Sequence, residues 1–204
     1  MREAIPVVII AGGSGKRIGG GKPSHCLAGE TLLSHAINKA QLYSQVFAVA
    51  SGAEQVSICP GIRLLPDQQD IQGPIAGLHA AINFGIEIGA QYVMIMPCDT
   101  PFLPDNLLDI LYAEIGVAMA ALSQHAGRIH PACSLWHTDV FPLFPEYLAA
   151  GRRSLIGFAE FSGHVTAEIP AAKAATIDPF FNINTGDDLV EAERILANLD
   201  AHKL

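Results

Sequence analysis

The sequence predicts an α/β fold in which a mostly parallel, Rossmann-like sheet is covered by helices on both faces. Continuously apolar, β-branched segments, beginning with Val7 to Ile10, are typical of strands buried on both faces. These segments alternate with segments of helical periodicity, the first of which has Leu33, Ala36, Ile37 and Ala40 on one side. Strands that alternate with helices build three layers, helix on sheet on helix.

The same alternation continues along the chain. Further strands are predicted at residues 46–49, 63–65, 92–96, 117–122, 132–136 and 165–169. Helices are predicted after Gly73-Pro74 and Pro104, over residues 138–150 and 152–162, and from Thr185, where Asp188 has capping-box spacing. A buried stripe of this last helix is predicted at Leu189, Ala192, Leu196 and Leu199. The turn at Ala126-Gly127 joins two adjacent strands and predicts a small antiparallel part.

Length and composition restrict the class of protein. The chain has 204 residues, of which 50% are hydrophobic, which predicts one compact domain over residues 1–204. The formal net charge of −8 argues against a dedicated nucleic-acid-binding protein, which needs a basic face. No charge-free apolar segment reaches the roughly 18 residues of a membrane helix. Glu3 interrupts the basic start that a signal peptide needs.

The cysteine pattern predicts reduced thiols in a cytoplasmic protein. The four cysteines are Cys26, Cys59, Cys98 and Cys133. No two of them form a C-x-x-C pair, so a zinc knuckle is not expected. The chain is also too long and too poor in cysteine for a disulfide scaffold.

A glycine-rich loop follows the first predicted strand. Residues 12–21 contain six glycines, which let the backbone approach a phosphate closely, and Lys16, Arg17 and Lys22 add three cations. The loop does not fit the Walker pattern, because Lys16 stands where its first glycine belongs. It does not fit the dinucleotide pattern, because Ile18 replaces the third glycine. We therefore predict a phosphate-binding loop of a third kind, with a merely flexible loop as the alternative.

Acidic side chains and a helix start follow the short predicted strand at residues 63–65. Asp67 comes at the end of this strand, and Asp70 follows three residues later. Gly73 opens the next predicted helix. Asp67 is the better candidate for a ligand contact and Asp70 is the second. A turn carboxylate that caps a helix is the alternative for Asp67.

Asp99 follows the most apolar predicted strand of the chain, residues 92–96. A carboxylate in such a place is costly unless it is paired or binds a cation. A hard divalent cation prefers oxygen ligands and often takes only one or two carboxylates, with substrate phosphates as further ligands. We therefore predict that Asp99 binds a divalent cation, with capping of the next helix as the alternative.

Three further segments of the sequence contain polar side chains that are candidates for ligand binding. Arg128 and His130 adjoin the predicted turn, and an ordinary histidine at a strand end is the alternative for His130. The Arg152-Arg153 pair falls at a predicted helix start, where cations are unfavourable, and this mildly favours an anionic partner. Asn182 and Asn184 lie in a segment predicted to be extended, so their amides share one side. A turn residue that bonds the backbone is the alternative for each.

In this order, the segments resemble the molybdenum cofactor guanylyltransferases, a family of nucleotidyltransferases. The resemblance rests on the loop I-A-G-G-S-G-K-R-I-G-G-G-K from Ile10, G-P-I-A-G from Gly73, C-D-T-P-F-L from Cys98, H-P from His130 and N-I-N-T from Asn182. It extends from residue 5 to about residue 199. Gly21 replaces an aspartate beside the lysine, and Gly186 replaces a proline at the start of the last helix.

The resemblance implies a single-domain, three-layer nucleotidyltransferase fold and an enzyme that transfers GMP from GTP to the phosphate of molybdopterin, with release of pyrophosphate. It implies Mg²⁺ as the cofactor and Asp99 as its ligand. The implied catalytic residues are Arg17, Lys22 and Asp99. The implied nucleotide-binding residues are Ile10, Ala11, Gly12, Gly13, Ser14, Gly15, Lys22, Asp67, Gly73 and Asp99, with the N–H groups from Ala11 to Gly15 on the triphosphate. The implied residues that bind the acceptor substrate are Arg128, His130, Asn182 and Asn184.

The resemblance also implies the partners. GTP and molybdopterin are the small-molecule substrates, and transient contacts with molybdenum cofactor biosynthesis proteins and acceptor molybdoenzymes are expected. Two alternatives stay open. The first is a related nucleotidyltransferase that uses CTP or ATP, or a sugar-phosphate acceptor. Residues 49–51 lack the asparagine that is expected where the family recognises its nucleotide, which weakens the assignment of guanine. A non-catalytic nucleotide-binding protein is the second.

Overall fold

The structure, a computed structural model, describes residues 4–12, 22–51, 62–66, 71–170 and 177–201. Within these ranges the strands are β1 (Val7–Ile10), β2 (Cys26–Leu27), β3 (Glu30–Thr31), β4 (Phe47–Ser51), β5 (Arg63–Pro66), β6 (Tyr92–Pro97), β7 (Ala120–His125), β8 (Arg128–His137) and β9 (His164–Glu168). The helices are α1 (Leu32–Tyr43), α2 (Pro74–Glu87), α3 (Leu107–Ile115), α4 (Phe144–Ala149), α5 (Leu155–Ser162) and α6 (Gly186–Ala201). Short 3-10 helices cover Lys22–Ser24 and Thr138–Leu143.

Seven of these strands form one sheet in the order β5-β4-β1-β6-β8-β7-β9. β8 runs antiparallel to both of its neighbours, and the other adjacent pairs are parallel. The mostly parallel sheet with a small antiparallel part is thereby confirmed. β2 and β3 pair in a separate antiparallel hairpin, which the sequence analysis did not predict because each strand has only two residues.

Alternate residues of the central strands enter two separate cores. Val7 and Ile9 of β1 pack with residues of α1 and α3 on one face of the sheet. Val8 packs with residues of α2 and α5 on the other face. Because both faces are covered, the strands are apolar without interruption, which is the pattern that revealed them in the sequence.

Several element boundaries differ from those predicted. β7 begins at Ala120 rather than residue 117, because Gly116 ends α3 with φ +50° and Val117 is fully exposed. The segment 138–150 divides into a 3-10 helix and α4 rather than one helix. α5 begins at Leu155, because Ser154 is its N-cap and accepts a hydrogen bond from the N–H of Gly157.

The last helix also differs in part from its prediction. Thr185 and Asp188 form the predicted capping box. Of the expected stripe, Ala192 is buried, whereas Leu189, Leu196 and Leu199 are only half-buried. The described cysteines, Cys26, Cys98 and Cys133, are free thiols as predicted. Among the described residues, no helix combines the length and the apolar character needed to span a bilayer. That residues 1–204 form one domain stays a prediction.

Candidate active site

The predicted functional segments meet at one edge of the sheet. β1, β5 and β6 are linked through parallel pairings, so their carboxyl ends lie at the same edge. Gly12 follows β1, Gly73 follows β5, and Asp99 follows β6. β7 runs in the same direction as β6, so the hairpin that carries Arg128 turns at this edge as well. Ligands of such sheets bind at the carboxyl ends of the strands.

The centre of the site is a cluster of four side chains, Lys22, Asp99, Asn182 and Asn184, which we call the cation cluster. The Lys22 ammonium forms an ion pair with Asp99 Oδ2. It also donates to Asn184 Oδ1 at 2.7 Å and to Asn182 Oδ1 at 3.3 Å. An ammonium has three N–H groups, and these three oxygens provide an acceptor for each. The structure therefore brings together predicted residues that are 160 and 162 positions apart in the chain.

Ile183 explains why both asparagines face Lys22. Its side chain is fully buried in a small core with Leu27, Leu32 and Ala192. Its N–H group donates to the backbone oxygen of Asp99 at 3.0 Å. Since neighbouring side chains of an extended segment point to opposite sides, the burial of Ile183 turns Asn182 and Asn184 outward. This confirms the prediction that the two amides share one side.

Asp99 has one carboxylate oxygen in the Lys22 ion pair and one with no partner. The residue is 8% exposed, and Oδ1 is buried and has no hydrogen-bond partner among the residues that the structure describes. A buried polar atom of this kind costs free energy and requires an explanation. Burial, and next the charge of Asp99, raise the pKa of the adjacent Cys98 thiol to about 12, so that thiol stays protonated and adds no charge near neutral pH.

A divalent cation fits the unpartnered oxygen of Asp99. Within the described ranges, no three His, Cys, Asp or Glu side chains gather closely enough to hold a metal ion together. A cation at Asp99 would therefore take its other ligands from amide oxygens, water or substrate phosphates, which is a usual arrangement for Mg²⁺. Asn182 and Asn184 already place two amide oxygens within reach of the same ammonium that contacts Asp99.

The start of α6 is bonded to the cation cluster. Asp188 Oδ2 accepts the N–H of Asn184 at 2.9 Å and the N–H of Thr185 at 2.8 Å. The Asn184 N–H is the main reason why the pKa of the Asp188 carboxyl is lowered, and Lys22 adds a smaller contribution. The capping-box spacing is visible in the sequence, but this link is not, because nothing in the spacing shows that a cap also bonds the residue before it.

Arg128 and His130 lie on the hairpin side of the site. Within the described part of the chain, neither forms a hydrogen bond or ion pair with Lys22 or Asp99. The His130 ring stacks on Phe180, with ring centres 4.0 Å apart and 13° between planes. Burial, and next Arg128, lower the pKa of His130, so the ring is neutral near pH 7. His130 therefore packs on the segment that carries the two asparagines, whereas Arg128 is exposed.

Arg153 has acceptors within the protein, so its position before α5 is no reason to expect an anionic partner for it. Arg153 Nη1 donates to the backbone oxygens of Leu148 at 3.0 Å and Arg152 at 2.7 Å. Leu148 lies in the last turn of α4, where a cation is favourable. The Arg152 guanidinium lies 5.9 Å from the centre of the Tyr147 ring.

The expected series of free N–H groups cannot begin at Ala11. The Ala11 N–H donates to the Ala50 oxygen at 2.9 Å and so continues the sheet, which corrects its expected role on the triphosphate. The side chain of Ile10 faces α2. Its Cδ1 lies so close to Gly77 of that helix that a Cβ added to the glycine would be only 2.9 Å away. Gly73 has φ +83° and ψ −172°, a conformation that is essentially restricted to glycine, and no side chain caps α2.

The remaining candidates lie outside the described residues. They are Gly13, Ser14, Gly15, Arg17 and Asp67, together with Lys16 and the second acidic candidate, Asp70. Their assigned roles stay predictions.

Solved structures share this architecture. A molybdopterin-guanine dinucleotide biosynthesis protein A from Archaeoglobus fulgidus has 24% sequence identity and a TM-score of 0.76, and the match covers 95% of this chain and 100% of that one. A 4-diphosphocytidyl-2C-methyl-D-erythritol synthase from Anaerococcus prevotii has 11% identity and a TM-score of 0.73, over 96% of each chain. The fold is that of nucleotidyltransferases.

The particular family follows from the sequence comparison. The chain belongs to the MobA-like NTP transferase domain family, which matches residues 7–165. A molybdenum cofactor guanylyltransferase from Cereibacter sphaeroides is 32% identical over 191 residues, or 93% of this chain and 95% of that protein. A molybdenum cofactor guanylyltransferase from Rhodobacter capsulatus is 34% identical over 188 residues, or 91% of this chain and 93% of that protein.

Proposed function

We propose that this protein transfers GMP from GTP to the phosphate of molybdopterin, giving the guanine dinucleotide form of the molybdenum cofactor and pyrophosphate. The near full-length relatives named molybdenum cofactor guanylyltransferase support this substrate pair. The observation that carries the proposal is the cation cluster at the end of β6. A buried carboxylate with an unpartnered oxygen, a lysine and two amides form an arrangement suited to a bound, metal-associated triphosphate.

The chemistry joins two anions. An oxygen of the acceptor phosphate bonds to the α-phosphorus of GTP, and the bond from that phosphorus to the bridging oxygen of the β-phosphate breaks. The electron pair of the broken bond leaves with pyrophosphate. Because the attacking phosphate is already ionised, no side-chain base is required. Positioning and charge neutralisation therefore supply the catalysis.

Lys22 provides the positive charge for this step. Its ammonium is held by three oxygens of the protein, so binding of the triphosphate exchanges at least one of them for a phosphate oxygen. The protein oxygens keep the ammonium at the end of β6 until then. Arg17 adds a second cation to the phosphates, and the N–H groups from Gly12 to Gly15 hold them.

Asp99 is the residue that would hold Mg²⁺, through the oxygen that has no partner. When bound, the cation neutralises charge on the phosphates. Asp67 and Gly73 are assigned to the guanosine. Arg128 and His130 are assigned to the acceptor substrate, because they share the sheet edge with the cation cluster. The product is a cofactor for other proteins, so transient contact with molybdenum cofactor biosynthesis proteins and acceptor molybdoenzymes belongs to this proposal.

The test is pyrophosphate release by the purified protein with molybdopterin and molybdate. GTP, CTP and ATP are supplied in separate reactions, each with Mg²⁺ or with a chelator. We expect release with GTP and Mg²⁺ only. An Asp99→Asn variant is the matched control, because it keeps the shape of the side chain and removes its charge.

The other outcomes separate the alternatives. Release with CTP or ATP instead would retain the mechanism and overturn the guanine assignment. Release that is unaffected by the chelator would overturn the role of Mg²⁺. No release with any nucleotide, while calorimetry shows that GTP binds, would point to another acceptor or to a non-catalytic nucleotide-binding protein.

A further inference from the structure

Asp188 lies at the start of α6, one hydrogen bond away from the cation cluster. Its Oδ2 accepts the N–H groups of Asn184 at 2.9 Å and Thr185 at 2.8 Å. Its own N–H donates to Thr185 Oγ1 at 3.1 Å. The bonds with Thr185 form an ordinary capping box. The bond from the Asn184 N–H lies outside this capping box and ties Asp188 to the segment that carries Asn182 and Asn184.

Hydrogen bonds on both sides restrain Asn184, and its own Nδ2 donates to the backbone oxygen of Asn182 at 3.5 Å. It is exposed and belongs to a segment that forms neither helix nor strand, yet its Oδ1 makes the shorter of the two amide contacts with Lys22. Its backbone is restrained on one side by the bond from Ile183 N–H to the Asp99 oxygen. On the other side the restraint is Asp188.

Gly186 makes the restraint by Asp188 more important. Glycine occupies the first position of α6, and a Cβ there would meet no atom within 4 Å. Packing of a side chain therefore does not limit the backbone at residue 186, and glycine itself is the most permissive residue. The turn from Asn184 into α6 is thus held mainly by the hydrogen bonds of Asp188 and Thr185.

We propose that Asp188 is a positioning residue for nucleotidyl transfer: by binding the backbone N–H of Asn184, it holds the Asn184 amide oxygen on the cation cluster. The inference rests on the proposed function of the cluster. Asp188 acts through Asn184 and does not touch the substrate itself. Residues that orient groups of a metal or phosphate site commonly change affinity or rate by about 10–100-fold when removed.

A helix cap without any further role is the competing explanation, and Thr185 provides the matched control. Thr185→Ala removes the hydroxyl half of the capping box but leaves the bond between Asp188 and Asn184. Asp188→Ala keeps the bond from the residue 188 N–H to the Thr185 hydroxyl but removes both bonds of the carboxylate, to the N–H groups of Thr185 and Asn184. We expect comparable decreases in melting temperature for the two variants. We expect a decrease in kcat/KM for GTP of about tenfold or more only for Asp188→Ala, with rescue by Asp188→Asn, which retains an acceptor oxygen.

A double-mutant cycle shows whether Asp188 acts through Asn184. In an Asn184→Ala background, Asp188→Ala should have no further effect on kcat/KM, because the amide that it positions is already absent. Additive losses from the two substitutions would overturn the inference. Equal losses of activity in Asp188→Ala and Thr185→Ala would also overturn it.

A second readout is independent of catalysis. Hydrogen exchange of the Asn184 backbone amide in the free protein should accelerate in Asp188→Ala and stay close to wild type in Thr185→Ala. Unchanged exchange at Asn184 in Asp188→Ala would overturn the positioning role. A wild-type protein that releases no pyrophosphate would overturn the proposed function instead, while the exchange measurement would still decide the structural link.

Discussion

Asp99 and Asp188 are two carboxylates of the same site in opposite environments. Asp99 is buried, pairs one oxygen with Lys22 and, within the described ranges, has no partner for the other. Asp188 is near solvent, and a single one of its oxygens accepts two backbone N–H groups at the start of α6. The buried carboxylate of Asp99 therefore has an oxygen that lacks a hydrogen-bond donor, whereas the Asp188 oxygen near solvent has two donors.

The difference separates a carboxylate oxygen that is available to a ligand from one whose hydrogen bonds are used within the protein. An unpartnered buried oxygen costs stability, and such a cost is typical of positions kept for binding or catalysis. A carboxylate at a helix N-terminus adds stability by bonding free N–H groups and by its charge. Substitutions of Asp99 should therefore separate activity from stability, and those of Asp188 should affect both.

The largest expected effect comes from Asp99. We predict that Asp99→Asn lowers turnover by about a hundredfold or more, as for loss of a principal electrostatic group. We also predict that the free energy of unfolding changes little, because asparagine keeps the shape of the side chain and an acceptor oxygen, and the Lys22 ammonium retains the oxygens of Asn182 and Asn184. Steady-state kinetics and urea unfolding test both parts. If Asp99→Asn strongly lowers the free energy of unfolding as well as the turnover, the proposed difference between Asp99 and Asp188 is wrong.

Substitution of Lys22 should lower both the turnover and the stability of the protein. We predict that Lys22→Ala lowers turnover by about a hundredfold or more. Unlike Asp99→Asn, it should also destabilise the protein by about 1–3 kcal/mol, because it leaves a buried carboxylate without its cation. The double variant with Asp99→Asn should recover that stability but not the rate. A Lys22→Ala protein that is as stable as wild type would show that the ion pair contributes nothing to the fold.

The contribution of the Asp188 carboxylate to stability should depend on pH. Its lowered pKa means that the folded state favours the ionised form. The stabilisation is therefore complete above the ordinary aspartate pKa of about 3.9 and is lost as the pH falls through the lowered value. The difference in unfolding free energy between wild type and Asp188→Asn, about 1 kcal/mol or less at neutral pH, should vanish under acidic conditions. Urea unfolding across this pH range measures it, and a difference that grows in acid would contradict the assignment.

The smallest effect concerns the start of α6. We predict that Gly186→Pro stabilises the protein by about 0.4–1 kcal/mol, because proline suits the first helical position and restricts the unfolded chain. It should also weaken the effect of Asp188→Ala on kcat/KM by restraining the same turn. Gly186→Ala is the control that adds a side chain without fixing φ. If proline leaves the effect of Asp188→Ala unchanged, the turn at residue 186 does not contribute to the position of Asn184.

Much of the fold could be predicted from the sequence because both faces of the sheet are buried. The apolar segments of β1, β4 and β6 are continuous for that reason, and each was found within a few residues of its observed bounds. The β2–β3 hairpin and the division of segment 138–150 were missed. They depend on local turns and packing, which leave no periodic pattern over so few residues.

Part of the site was also visible in the sequence, and part was not. The motifs identify four residues of the site, Lys22, Asp99, Asn182 and Asn184. The free-energy cost of a carboxylate beside an apolar strand is a second indication for Asp99. The partners of Arg153 are not visible in the sequence, because they are carbonyl oxygens at and after the end of α4, and no sequence pattern shows that this end lies beside it.

The sequence by itself determined the layers, the direction of most strands and the identity of the polar groups at the strand ends, because these follow from residue types at short range. Only the tertiary structure decided that one ammonium meets a carboxylate and two amides more than seventy residues away. It also decided that Asp99 retains an oxygen without a partner, and that Asp188 bonds Asn184. The physical reason is that these contacts depend on burial of Ile183 and on pairing of the strands into one sheet, which bring together distant segments that have no pattern in common.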